Sequence, residues 1–113
     1  MQVLFESRDP EALVLRGVVV SRARFVMRRL VWLVPRARVR LTDVNGPRGG
    51  VDKRCQVELR AAGGAPVVVT SVARDWRSAL DAALTRAARA LLRLWQRERR
   101  HQRPLPRRPA LQR

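Results

Sequence analysis

The chain has 113 residues, which is enough for one small domain with a single hydrophobic core and too few for two such domains. Its formal net charge of +16 at pH 7 attracts polyanions, so nucleic acid is the first partner to consider. The one cysteine, Cys55, excludes an internal disulfide and a zinc site, and without a signal peptide or membrane span in the sequence we expect a cytoplasmic protein.

The first part of the chain predicts a strand and then a long helix. Residues 2–7 form a short apolar stretch that is typical of a strand. The segment Asp9-Pro10-Glu11 indicates a helix start, because Asp can cap a helix, Pro is tolerated at its first position and Glu favours its positive end. An apolar line at helical spacing then continues until Pro35 ends it: Ala12, Leu15, Val19, Ala23, Val26, Leu30 and Leu33.

Three further strands follow in the middle of the chain. Residues 36–43 alternate apolar and polar side chains, which indicates a half-buried strand. Residues 44–53 are dense in turn-forming residues and predict a loop, after which residues 54–60 alternate again. A second turn at residues 62–65 leads into the fourth strand at residues 66–72.

The segment from Asp75 to Arg103 predicts a long helix with two different faces. Asp75 is a good N-cap, and the prolines after His101 end the helix. The core face consists of Trp76, Leu80, Leu84, Ala87, Leu91, Leu94 and Trp95. The opposite side carries the arginine stripe, which we define as Arg86, Arg89, Arg93, Arg97 and Arg100. A stripe of one sign fits a polyanion, although an ordinary charged helix surface is the alternative.

These elements predict an α+β fold in the order β-α-β-β-β-α, with a four-stranded mixed sheet and two helices packed on one face. The helix between the first two strands predicts a parallel crossover, and the later turns predict antiparallel hairpins. The other face of the sheet is expected to be polar and wet. We expect this domain to span residues 1–102 and a basic, proline-rich, disordered tail to span residues 103–113.

Few residues in the sequence could support catalysis. His101 is the only histidine and has no nearby carboxylate except Glu98 as an orienting partner. Cys55 lies on the inward side of its strand, where a free cysteine usually behaves as a small apolar residue. The acidic residues are few and scattered. We therefore expect no enzymatic activity, no cofactor, no metal site and no small-molecule substrate.

Phe25 and Trp32 lie on one side of the first predicted helix, away from its apolar line and close to Arg28 and Arg29. Exposed aromatic side chains among arginines can stack on nucleic-acid bases. The alternative, which we favour, is that both rings pack at the rim of the core.

The chain from Gln2 to His101 resembles the ribosome hibernation promoting factor family, which includes the ribosome-associated inhibitor A proteins. The most specific match is the segment Leu41-Thr-Asp-Val-Asn-Gly-Pro-Arg-Gly-Gly-Val-Asp-Lys-Arg-Cys55, which is similar to a loop-and-strand motif in one branch of that family. A second match is Pro66-Val-Val-Val-Thr followed by Ala79-Leu-Asp and the arginines of the last helix.

The resemblance implies a short-form factor that binds the small ribosomal subunit and its rRNA in the channel used by messenger and transfer RNA. Translation would then be silenced during dormancy, as part of a stress response. The resemblance places Arg86, Arg89 and Arg93 at positions that contact rRNA in the family, and Arg22 and Arg28 are the nearest matches in the first helix.

Two other functions remain open from the sequence. A general double-stranded RNA-binding protein could use a similar surface of sheet and helix. A peripheral membrane protein could place the basic helix on anionic lipid. Membrane binding needs an exposed apolar helix face, whereas here the sheet needs that face, so we expect no membrane partner.

Overall fold

The structure is a computed structural model of the chain, and it describes residues 1–44, 52–61 and 64–102, the side chains of residues 100–102 excepted. The elements are β1 (Gln2–Ser7), α1 (Pro10–Leu13), α2 (Arg16–Val26), β2 (Arg36–Asp43), β3 (Lys53–Arg60), β4 (Val67–Ala73) and α3 (Trp76–Gln102). The predicted α+β order is confirmed, except that a break at residues 14 and 15 divides the first helix into α1 and α2. The predicted tail and most of the predicted loop after β2 lie outside the described residues.

The sheet has the predicted mixed topology, with the strands in the order β1-β2-β3-β4. β1 pairs with β2 in parallel, and both later pairs are antiparallel. The register aligns Phe5 with Val39, Val39 with Val57, and Val57 with Val69, so one apolar row crosses all four strands. Because alternate side chains point to opposite faces, this register gives the sheet one apolar face and one polar face.

Both longer helices cover the apolar face of the sheet. α3 packs on β3 and β4, and α2 packs on β1 and on α3. The α3 residues in the core are Ala79, Leu80, Ala83, Leu84, Ala87 and Leu91. Leu94 and Trp95 are only half-buried, because the 27-residue helix is roughly 40 Å long and extends past the ends of the strands.

The two predicted helix caps differ in what their carboxylates bind. Asp75 caps α3 as predicted, since its carboxylate accepts hydrogen bonds from Ser78 N at 2.8 Å and Ser78 Oγ at 2.9 Å. These bonds hold the pKa of Asp75 below its ordinary value. Asp9 occupies the N-cap position of α1 but makes no cap bond with its side chain. Its carboxylate instead accepts a hydrogen bond from Asp43 N at 3.1 Å, which links the start of α1 to the end of β2.

The first predicted helix is shorter than its apolar line. α2 ends at Val26 with Met27 as its C-cap, so the prediction of one helix up to the proline was wrong. Successive turns follow, in which Leu30 N donates to Met27 O at 2.7 Å and Leu33 N donates to Leu30 O at 2.9 Å. These turns repeat every three residues and keep Met27, Leu30 and Leu33 on the core side, where Met27 is buried and the two leucines pack against the core.

Lys53, the only lysine, joins the ends of three elements. Its Nζ lies 2.9 Å from Asp43 Oδ2 and 3.4 Å from Asp52 Oδ1, and 5.2 Å from the centre of the Trp76 ring. The hydrogen bond that Lys53 Nζ donates to Asp43 Oδ2 is the main cause that raises the pKa of Lys53. Apart from this ion pair, the buried carboxylate of Asp52 has no hydrogen-bond partner among the residues described. Lys53 therefore connects the β2–β3 hairpin to the start of α3.

Candidate nucleic-acid interface

The arginine stripe of α3 lies on the solvent side of the helix as far as its side chains are described. Arg86, Arg89, Arg93 and Arg97 are all exposed. Their spacing of three and four residues places them along one side of the helix over roughly 16 Å. The side chain of Arg100 lies outside the described part of the chain. The stripe therefore presents a row of positive charge that faces water.

The members of the stripe differ in their partners. Arg86 Nη1 donates a hydrogen bond to Thr70 O at 2.9 Å, which holds this side chain against the outer edge of β4. Arg89, Arg93 and Arg97 make no ion pair or hydrogen bond with any residue that the structure describes. Their guanidinium groups are available to an external anion, and a guanidinium can donate two parallel hydrogen bonds to one phosphate.

The two predicted arginines of the first helix do not join the stripe. Arg22 Nε and Nη2 both lie 3.0 Å from Asp81 Oδ1, so this side chain is held in a pair between α2 and α3. Asp81 is five residues before Arg86, or about 140° away around α3, which places the pair on the other flank of that helix. Arg28 is exposed, but its Nη1 donates to Phe25 O at 2.8 Å and its guanidinium carbon lies 4.3 Å from the centre of the Phe25 ring.

The polar face of the sheet carries a second group of basic side chains, which are not among the predicted site residues. These exposed residues are Arg36, Arg38, Arg40, Arg54 and Arg60. Glu6 neutralises part of the charge, because its carboxylate lies 2.9 Å from Arg40 Nη2 and 3.8 Å from Arg38 Nε. Glu58 also lies 3.8 Å from Arg38 Nη1. The alternation of the strands marked this face as polar, but only the register shows which arginines meet a glutamate.

The two aromatic side chains of the first predicted helix have different surroundings. Trp32 packs edge-to-face on Trp95, with the ring centres 5.4 Å apart and the ring planes at 86°. Phe25 is 56% exposed and is covered on one side by Arg28. Trp32 thus contacts the last predicted helix, as the favoured prediction allows, but it stays 64% exposed. Phe25 does not pack on the core.

The described residues offer few side chains that could act as a nucleophile or hold a metal ion. Burial raises the pKa of the Cys55 thiol to about 12, so the thiol stays protonated and is a poor nucleophile. Within the described ranges, no three His, Cys, Asp or Glu residues come together to hold a metal ion. No helix in that part of the chain has the length and apolar character needed to cross a bilayer.

Comparisons with known proteins find this fold in solved structures. No protein-family model and no curated protein matches the chain. A ribosomal subunit interface protein from Coxiella burnetii has a TM-score of 0.65 and 11% sequence identity, and the match covers 85% of this chain and 99% of that one. The N-terminal domain of Thermus thermophilus Protein Y has a TM-score of 0.59 and 21% identity, with 83% and 99% covered. The fold expected from the sequence resemblance is therefore confirmed.

Proposed function

We propose that the protein binds the small ribosomal subunit through its rRNA, in the channel that messenger and transfer RNA use, and thereby keeps translation silent. The observation that carries the proposal is the arginine stripe, with three exposed guanidinium groups that have no partner among the described residues. Support comes from the fold, which is shared with a ribosomal subunit interface protein, and from the net charge of +16.

The geometry of the stripe suits a phosphate backbone. Arg89, Arg93 and Arg97 project from successive turns of α3, about 6 Å apart along its axis, so each side chain can reach a different phosphate. Each neutralised phosphate releases counterions, which favours binding and makes it depend on salt. Arg86 is already held by Thr70 O, so it reaches the RNA at the edge of β4 with little further loss of side-chain entropy.

The arginines of the first helix have a smaller part in this proposal. Arg28 is exposed and can contact phosphate while its Nη1 keeps the bond to Phe25 O. Arg22 must first exchange its ion pair with Asp81 for a phosphate. Binding through Arg22 therefore gains less than binding through an unpaired arginine of the stripe.

Silencing in this proposal results from occupancy. A folded domain in the channel excludes messenger and transfer RNA from the same space and needs no chemical step. Inhibition therefore depends on the number of protein molecules bound per ribosome.

Co-sedimentation tests the proposal. Purified small subunits, duplex RNA and anionic liposomes are each incubated with the protein at about physiological ionic strength, where non-specific phosphate binding is already weakened. We expect the protein to sediment with the small subunits and to bind duplex RNA and liposomes much more weakly. A triple change to alanine at Arg86, Arg89 and Arg93 should flatten the dependence of log K on log salt by roughly 0.7 to 0.9 per lost contact.

The polar face of the sheet provides a control with the same loss of charge. Arg36, Arg54 and Arg60 are exposed and have no ion pair within the described residues, so replacing these three with alanine also removes three positive charges. We expect this variant to bind small subunits nearly as well as the unchanged protein. An equal loss in both triple variants would mean that only the total charge matters. Equal affinity for any duplex RNA would favour a general RNA-binding protein.

A further inference from the structure

A small apolar cleft lies on the flank of α3 that faces away from the arginine stripe. We name it the tryptophan cleft, and its volume is about 200 Å³. Its walls come from the turns after α2, the end of β3 and the C-terminal half of α3. The lining residues are Trp32, Leu33, Ala61, Gly64, Leu91, Leu94, Trp95 and Glu98.

Trp32 is fixed at the mouth of this cleft. Its Nε1 donates a hydrogen bond to Arg29 O at 3.0 Å, and its ring packs edge-to-face on Trp95. The indole N–H is therefore already satisfied, although the residue is 64% exposed. A large apolar ring held in one orientation in water loses little entropy when a flat ligand covers it.

The rim of the tryptophan cleft is basic. Arg29, whose carbonyl oxygen accepts the bond from Trp32, is exposed, and Arg99 lies with its guanidinium carbon 4.9 Å from the centre of the Trp95 ring. Glu98 is the only acidic residue of the lining, and its carboxylate can accept a hydrogen bond from a base amino group. An apolar aromatic surface surrounded by arginines combines the two features that single-stranded nucleic acid needs, a stacking platform and counter-charges for phosphate.

We propose that the tryptophan cleft binds one unpaired base of single-stranded RNA, which stacks on Trp32 while the rim arginines contact the flanking phosphates. The proposal takes its ligand class from the proposed function, but it uses different residues. Trp95 is two residues from Arg93 and from Arg97, or about 160° away around α3, so the cleft and the stripe lie on opposite flanks of the helix. RNA bound at both places would hold α3 from two sides.

The charge of the rim argues against self-association through the cleft. A two-fold interface brings the same patch of both copies together, so it would place Arg29 and Arg99 close to the same arginines of the second copy. Close contacts between like charges are unfavourable, whereas RNA phosphates neutralise these charges.

Tryptophan fluorescence provides a direct test. Trp76→Phe removes the one tryptophan outside the cleft, and the remaining emission then comes from Trp32 and Trp95. We expect a single-stranded RNA of about eight nucleotides to quench this emission on binding. A Trp32→Ala change in the same background should weaken binding of the oligonucleotide about fivefold or more and remove most of the quenching. Phe25→Leu is the matched control, because Phe25 is also exposed beside Arg28 but lies outside the cleft, and we expect it to leave both quantities unchanged.

Further measurements separate the possible failures. The alanine variant of Arg86, Arg89 and Arg93 should still show quenching by the oligonucleotide, even if its binding to small subunits is lost. If the protein with an intact arginine stripe showed quenching by the oligonucleotide but no binding to small subunits, the proposed function would be overturned and the cleft would remain an RNA site. Absence of quenching, or equal binding before and after Trp32→Ala, would overturn the cleft proposal. A change in sedimentation coefficient on Trp32→Ala would also overturn it, because the cleft would then be an interface between two copies.

Discussion

Arg22, Arg86 and Arg89 are all helical arginines, yet their guanidinium groups have different surroundings. Arg22 is held by Asp81, Arg86 is held by a backbone carbonyl, and Arg89 has no partner among the described residues. Arg22 must exchange a carboxylate for a phosphate and therefore gains least, whereas the bond of Arg86 to a neutral carbonyl leaves its charge uncompensated and already orients its side chain. The sequence identified all three as basic helix residues, but it could not predict the Arg22–Asp81 pair, whose members are 59 residues apart.

Cys55 leads to a prediction about pH. Burial raises the pKa of its thiol from the ordinary value of 9.0 to about 12, so the folded protein favours the neutral form. The unfolded chain ionises this thiol more readily, and this contribution to stability is complete below about pH 9 and is lost as the pH rises towards 12. We expect the free energy of unfolding, measured by urea denaturation, to fall over that range.

A Cys55→Ala variant separates this effect from other titrations. Lys53 also has a raised pKa, so its contribution is lost in alkaline solution as well and remains in the variant. We expect the variant to show a smaller alkaline loss of stability than the unchanged protein. Rapid reaction of Cys55 with a thiol reagent at neutral pH, without unfolding, would contradict the burial of this side chain.

The strands and α3 could be predicted from the sequence because their patterns have only one interpretation. Residues 36–43 and 54–60 alternate with a period of two, and the structure pairs β2 and β3 along their whole length. The end of the first helix could not be predicted in the same way. Apolar residues at steps of three fit a helix and also fit successive tight turns, and the turns were found after Val26.

The tryptophan cleft shows a second limit of local patterns. The sequence predicts Trp32 off the apolar line of the first helix and Trp95 on the core face of α3. Their contact joins two elements that are distant in sequence. Periodicity describes one element at a time, so it could not predict which two partly buried rings meet.

The two faces of α3 lead to a pair of contrasting predictions. Leu84 is fully buried, and Leu84→Asp would place an unpaired charge in the core. Such a change costs several kcal/mol, which is a large part of the roughly 5 to 15 kcal/mol that stabilise a small domain, so we expect the protein to unfold. Arg89 is exposed, and Arg89→Glu should leave a folded protein that binds RNA poorly.

Circular dichroism and an RNA-binding assay distinguish these two variants. Arg54→Glu reverses an exposed charge on the polar face of the sheet and controls for the change in net charge. We expect it to bind RNA better than Arg89→Glu does. If Arg89→Glu unfolded the protein and Leu84→Asp did not, the orientation of α3 would be wrong.

At the scale of the whole molecule, the described core is complete without the end of the chain. The last buried core residue is Leu91, and the remaining buried residues come from the sheet and from earlier parts of the helices. We therefore propose that residues 1–102 form the folded domain and that residues 103–113 are a dispensable basic tail. Truncation after Gln102 should leave the thermal midpoint nearly unchanged. A loss of several degrees would show that the tail packs on the domain.

The proposed function leads to a quantitative prediction about translation. A protein that acts by filling a channel inhibits in proportion to its occupancy, so inhibition of a cell-free extract should follow the ratio of protein to ribosomes. We expect near-complete inhibition once the protein is equimolar with ribosomes at concentrations well above the dissociation constant. The triple alanine variant at Arg86, Arg89 and Arg93 should need a higher ratio, and this difference should increase with added salt because fewer phosphate contacts remain.

Competition with messenger and transfer RNA tests the location of binding. If all three occupy the same channel, ribosomes loaded beforehand with messenger and transfer RNA should bind the protein more weakly than empty ribosomes. The variant with alanine at Arg36, Arg54 and Arg60 should show the same difference, since its arginine stripe is intact. Equal affinity for loaded and empty ribosomes would contradict the channel as the site, because two molecules that fill the same space cannot bind independently. Inhibition at a small fraction of the ribosome concentration would contradict occupancy itself, since a bound plug can silence only the ribosome that holds it.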